Sequence, residues 1–117
     1  MRRIAVVGSR AFKPIEQVAL YLDKVYALSK DIQIVSGGAD GVDKAAEEWA
    51  KAHGVECVVF PADWENEGEK AGIKRNAKII EASDSLMVFW DGGSTGTLDS
   101  LCRGKKKKDY PVQVFLG

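Results

Sequence analysis

Apolar residues along this chain fall into two alternating kinds of run. Five short ones, Ile4 to Val7, Ile32 to Val35, Val55 to Phe60, Leu86 to Trp90 and Val112 to Leu116, are rich in Val, Ile and Phe and mostly do not alternate with polar residues. That pattern suits strands buried on both faces. Between them, apolar residues recur at helical spacing: Ile15, Val18, Ala19, Leu22 and Tyr26, then Val42, Ala45, Ala46, Trp49 and Ala50. Ile73, Ala77 and Ile80 form a weaker third stripe, and Leu98, Leu101 and Cys102 a short fourth. Pro14 suits the first turn of the first helix. Asp40 can cap the second, with Asp43 three residues on, and Gly54 after His53 stops it.

Strand–helix alternation of this kind predicts an α/β fold, a three-layer sandwich around a five-stranded parallel sheet with right-handed crossovers. The expected strand order is 3-2-1-4-5. In a parallel sheet every strand-to-helix loop leaves from the carboxyl ends of the strands, where open α/β sheets bind ligands. Three of these loops carry glycine: Gly8-Ser9-Arg10, then Ser36-Gly37-Gly38-Ala39-Asp40-Gly41, and Gly92-Gly93-Ser94-Thr95-Gly96-Thr97. In the expected order they follow neighbouring strands and converge. Glycine lets backbone approach a ligand closely, and each loop feeds a helix N-terminus whose free N–H groups and dipole favour an anion. Ser9, Ser36, Ser94, Thr95 and Thr97 add hydroxyl donors, and Arg10 adds a fork for phosphate. The expectation is a site for a phosphate-bearing small molecule. No loop has the GxGxxG dinucleotide fingerprint or the Gly-Lys-Ser/Thr ending of a P-loop, so neither a nicotinamide cofactor nor ATPase chemistry is expected.

Composition adds limits. The 117 residues are read as a single domain, 1–117. Lys plus Arg equals Asp plus Glu, 17 each, so no global field draws the protein to nucleic acid or membrane, and nucleic acid is not expected as a partner. Cys57 and Cys102 lack metal spacing and lie among apolar residues, which reads as buried thiols in a reducing compartment. A lone histidine, His53, builds no histidine-based metal site. Without a secretory pattern at Met1-Arg2-Arg3-Ile4 or a membrane-length apolar run, the expected location is cytoplasmic.

The segments VVGSRAF, VSGGADGVDKAAEEWAKAHGVECVVFPADWENEGEKAGIKRNAKII and MVFWDGGSTGTLDS together resemble the YspA-like branch of the SLOG superfamily. Its relatives include the Smf/DprA DNA-processing proteins and the "lonely guy" cytokinin-activating enzymes. The resemblance runs in order over nearly the whole chain. It implies a Rossmann-like fold that binds nucleotides or nucleotide-derived ligands at the three glycine loops, and it is compatible with a homo-oligomer. It also directs attention to Asp43 and to Arg75 and Asn76, which match the family's Asp and its Arg-Asn pair. Two alternatives follow from the relatives: a phosphoribohydrolase that cleaves an N-glycosidic bond, and a DprA-like DNA-interaction module. The hydrolases carry PGGxGTxxE. Here Asp91 replaces the Pro, and Ser100 stands at the Glu position with Asp99 one place off.

Other residues admit two readings at this stage. Asp40 and Asp43 either hold a ribose hydroxyl or act as a base, or are acids at the start of the second helix; Asp40 reads as its cap, and Asp43 admits both readings. Trp64, in Pro61-Ala62-Asp63-Trp64 after the third strand, either stacks on a base or packs its loop onto the core. His53 reads as a cation favourable at a helix C-terminus, and Trp49 as core. Lys105 to Lys108 lie between the last helix and last strand, opposite the glycine loops, and read as a solvated loop or as a modest nucleic-acid contact that the neutral net charge does not encourage.

Overall fold

In the computed structural model, which describes residues 1–13 and 15–117, each apolar run forms a strand. These are β1 (Arg2–Gly8), β2 (Ile32–Ser36), β3 (Cys57–Val59), β4 (Ser85–Trp90) and β5 (Val112–Leu116). The helices are α1 (Glu16–Leu28), α2 (Val42–His53), α3 (Trp64–Glu67), α4 (Ala71–Ala82) and α5 (Thr95–Lys106). All pairings are parallel, and the order is β3-β2-β1-β4-β5. This is the expected Rossmann-like sandwich. The role expected of Pro14 lies outside the described residues.

The two-residue period of the strands sorts the core into two layers. Ile4 and Val6 of β1 point to the side of α1 and α2, where they join Val18, Leu22, Val42, Ala46 and Trp49. Ala5 and Val7 point to the opposite side and join Ile79 and Ile80 of α4 and Tyr110. β1, β2 and β4 are buried along most of their length. The edge strands depart from the expectation of burial on both faces: Val59 and Leu116 are exposed because each edge lacks a neighbour on one side.

The last two helices sit differently from their apolar stripes. α5 turns Thr97, Ser100 and Gly104 inward and leaves Leu98 and Cys102 exposed. A side chain at Gly104 would meet Leu86 Cδ2 at 2.9 Å, so this helix lies too close to the sheet for large residues. α4 buries Ala71, Asn76, Ile79 and Ile80, while Ile73 is exposed. The expectation of two buried thiols is therefore corrected: Cys102 is exposed and Cys57 is half-buried on an edge strand.

Helix ends bring two further corrections. Asp40 does not cap α2. Gly41 occupies the cap position with φ 81° and no side-chain cap bond, whereas Gly54 ends the helix in the left-handed region as expected. The lysine run is not a solvated loop throughout. Lys105 and Lys106 are the last turn of α5, and Lys107 Nζ donates to the carbonyls of Ile80 at 2.7 Å and Ser83 at 2.8 Å. The lysine that follows one helix thus closes the C-terminus of another, where a cation is favoured. Among the described residues, no helix is long and apolar enough to cross a membrane.

Candidate functional site

The order β2-β1-β4 brings the three glycine loops together at the carboxyl edge of the sheet. They border a cleft of about 540 Å³. Of the residues singled out in the sequence, Gly8, Arg10, Ala39, Asp43, Trp64, Arg75, Asn76, Ser94, Thr95, Gly96 and Thr97 line it. Ser9, Ser36, Gly37, Gly38, Gly41, Gly92 and Gly93 do not.

Ser9, Ser36 and Gly37 among these seven are buried and support the walls from behind, whereas Gly92 and Gly93 are exposed. Ser9, fully buried, accepts the Asp91 N–H at 3.1 Å and lies 3.5 Å from Thr97 Oγ1, joining the first and third loops. Ser36 Oγ donates to Glu47 Oε2 at 2.7 Å and accepts the Gly38 N–H at 3.3 Å. The closest backbone approaches are to the protein's own atoms. A side chain at Gly37 would stand 2.5 Å from Arg75 Nη1 and 2.9 Å from Asp43 Oδ2; one at Gly41 would stand 2.8 Å from the Arg10 carbonyl. Around Gly92 and Gly93 there is space.

The third loop answers a carboxylate of its own. Asp91 Oδ1 accepts the N–H groups of Gly93 at 2.8 Å and Ser94 at 2.9 Å, and these two bonds hold its carboxyl below the ordinary range. Ser94 caps α5, accepting the Thr97 N–H at 3.3 Å. Thr95 and Gly96 then open the helix with N–H groups that have no intrahelical partner. The amides this loop leaves without a partner are therefore those of Thr95 and Gly96, and the glycine pair shapes the turn: Gly92 adopts φ 86°.

Arg75 and Asn76 tie the second glycine loop to the third. Arg75 Nη1 donates to the Gly37 carbonyl at 2.8 Å, and its Nε donates to Asn76 Oδ1 at 3.0 Å. Asn76 Nδ2 donates to the Gly96 carbonyl at 3.2 Å and to Asp99 Oδ2 at 3.1 Å, which also accepts Arg103 Nε at 2.8 Å. A guanidinium carries five N–H donors, so after two bonds three remain, the Nη pair included.

Asp43, in the first turn of α2, is 5% exposed yet borders the cleft. Burial raises its pKa to about 6, against the Ala39 N–H bond at 3.2 Å and the Arg75 charge, which favour the ionised form. Its Oδ1 has no hydrogen-bond partner among the described residues.

Trp64 does not pack into the core. It is 57% exposed at the cleft mouth, with Gly72 beneath its ring. Glu69, Ile73, Asp91 and Ser100 also line the cleft and were not singled out as contacts. Only Asp91 carried a readable signal, an Asp two and three residues before amides of a turn. Trp49 is core, its Nε1 donating to Asp23 Oδ1 at 2.8 Å, and His53 stacks on it with ring centroids 4.3 Å apart. No three His, Cys, Asp or Glu side chains among the described residues are grouped to hold a metal ion.

The family model described as "YspA, cpYpsA-related SLOG family" matches residues 2–66. A curated relative, "Gene 61 protein" of Mycobacterium phage D29, is 34% identical over 122 residues and covers 98% of this chain and 97% of its own length. Two solved DprA structures share the fold. That from Streptococcus pneumoniae has TM-score 0.73 at 22% identity, covering 99% of this chain and 50% of its own. That from Helicobacter pylori, whose structure concerns its single-stranded DNA binding mode, has TM-score 0.75 at 22% identity, with coverage of 97% and 64%. This chain thus spans between half and two-thirds of the DprA chains. A third solved structure, TM1055, has TM-score 0.67 at 20% identity. The Helicobacter protein corrects the reading in which nucleic acid is not expected as a partner, since this fold serves a protein that binds single-stranded DNA. Net charge averages over the whole surface, whereas contact with phosphates depends on where individual cations stand.

Proposed function

This chain belongs to the YspA, cpYpsA-related SLOG family, and from that premise we propose that residues 1–117 form one unit that binds a nucleotide or nucleotide-derived, phosphate-bearing small molecule. The observation that carries the reading is the meeting of Arg75 and the α5 N-terminus in one cleft. The phosphate takes the Thr95 and Gly96 N–H groups, the remaining Arg75 donors and Arg10 from the first loop. Helix dipole, orphan amides and guanidinium fork all favour the same anion. Trp64 and Ile73 at the mouth offer an apolar surface for a base.

Thermal-shift titration with nucleoside 5′-monophosphates, ADP-ribose and inorganic phosphate tests this. Stabilisation by at least one nucleotide, reduced in Arg75→Ala, supports it; no shift with any probe overturns it. A second reading, in which the same cleft takes a phosphate of single-stranded DNA, draws support from the fold shared with the Helicobacter protein. Its mark is oligonucleotide affinity that falls steeply with salt. The phosphoribohydrolase alternative is weakened by the residues at its motif. Ser100 occupies the position of the hydrolases' Glu, and Asp99 is engaged by Asn76 and Arg103.

A further inference from the structure

Asp43 is the one group in the cleft that a bound phosphate leaves unexplained. Its side chain is more than nine-tenths buried and borders the cleft; Oδ2 accepts the Ala39 N–H at 3.2 Å, and the Gly37 backbone N–H also favours the ionised carboxylate. Oδ1 is buried and without a partner among the described residues. Buried carboxylate oxygens in folded proteins are nearly always hydrogen-bonded, and a lone exception calls for a cause. Arg75 does not supply the bond: among the described residues its guanidinium donates to the Gly37 carbonyl and to Asn76 Oδ1, and makes no hydrogen bond to Asp43 Oδ1.

The chemistry of the missing partner is constrained. An ionised carboxylate only accepts, so a phosphate or second carboxylate is repelled there. A ligand ammonium is disfavoured by Arg75, whose charge reaches Asp43. A neutral donor remains, and on a nucleotide the donors adjacent to the phosphate are sugar hydroxyls. The layout agrees. Arg75 and Asn76 stand between the two ends of the cleft, bonded to Gly37 beside Asp43 on one side and to Gly96 at the α5 N-terminus on the other. A phosphate at α5 directs its sugar along this pair toward Asp43.

We infer that Asp43 Oδ1 accepts a hydrogen bond from a ribose hydroxyl, so that the cleft selects ribonucleotides over their deoxy counterparts. This rests on the nucleotide reading above and narrows it.

The test is calorimetric titration of the full chain with the four ribonucleoside 5′-monophosphates and with the 2′-deoxy and 3′-deoxy forms of each. At least one deoxy form is expected to bind about tenfold or more weakly than its ribo parent, the loss of one charge-assisted hydrogen bond. Asp43→Asn keeps the shape and the Ala39 contact, and is expected to weaken the ribonucleotide while leaving the deoxy form nearly unchanged. A purely structural Asp43 would shift both forms alike, so the ratio between them separates the roles. Equal binding of ribo and deoxy forms overturns this inference and leaves the nucleotide reading standing. No binding by any of the probes overturns both.

Discussion

Arg75 donates from Nη1 to the carbonyl of Gly37 at 2.8 Å, across a sequence separation of 38 residues. The bond fixes the guanidinium against the second glycine loop while its Nε holds Asn76, and through Asn76 the start of α5. Arg75 is therefore both a brace and the main fixed cation of the cleft. Lysine preserves the charge but cannot serve the Gly37 carbonyl and Asn76 Oδ1 in the same plane. Arg75→Lys is expected to weaken binding of a nucleoside monophosphate, and Arg75→Ala to weaken it about tenfold or more. Both also lower the unfolding midpoint, because the carbonyl of buried Gly37 and the amide of buried Asn76 lose their donor. Calorimetric titration and thermal melts on the same preparations check this.

The glycines separate into two classes by what surrounds them. Gly93 has open space, with Asp91 Oδ1 at 3.8 Å as its only neighbour, whereas a side chain at Gly37 meets Arg75 and Asp43. Gly93→Ala is expected to leave nucleotide affinity within about twofold of the parent, in line with a surface change away from special geometry. Gly37→Ala pushes the guanidinium out of its place and is expected to cost about tenfold in affinity. Titration of the two variants side by side decides it.

Asp43 makes stability depend on pH. Its folded-state pKa is raised from 3.8 to about 6, chiefly by burial, with Glu47 on the same helix adding to the rise and Arg75 of α4 opposing it. Cys57 on β3 also lies in its field. A raised acid binds its proton more tightly when folded. Its contribution is therefore greatest below pH 4, falls as pH rises to about 6, and is flat above. The full span is roughly 3 kcal/mol, from about two pKa units. Asp43→Asn removes this dependence. The stability difference between variant and parent should grow in the variant's favour between pH 4 and 6, read from denaturant midpoints. A variant that is more stable at pH 7 and binds ribonucleotide less well is the signature of a carboxylate kept for function.

Lys107 gives a control at the opposite end of the sheet. Its ammonium donates to Ile80 and Ser83 carbonyls at the α4 C-terminus. Lys107→Ala is expected to cost about 1–2 kcal/mol of stability, with nucleotide affinity unchanged. Denaturant unfolding and nucleotide titration of that variant check both halves.

How much of this was legible in the sequence varied with the kind of interaction. The strands were, since Val-, Ile- and Phe-rich runs state their own burial, and with them came the 3-2-1-4-5 order that gathers the loops. The inward face of α5 was not: Thr97, Ser100 and Gly104 face the sheet because the helix sits close, and a search for apolar periodicity finds Leu98 and Cys102, which are exposed. Nor was the partnering of polar groups. That Asp91 would fill the Gly93 and Ser94 amides, and that Lys107 would reach another helix, depends on distances that a one-dimensional pattern does not contain. The Arg75–Asn76 pair drew attention through resemblance, and its bracing role emerged only with Gly37 and Gly96 in place.

The most direct measurement is a crystal structure of the chain with the nucleoside monophosphate that binds best in titration. The account predicts phosphate density against the Thr95 and Gly96 N–H groups and within hydrogen-bond distance of Arg75, with the sugar toward Asp43. A nucleotide bound elsewhere, or in this cleft with its phosphate away from α5 and Arg75, would contradict it.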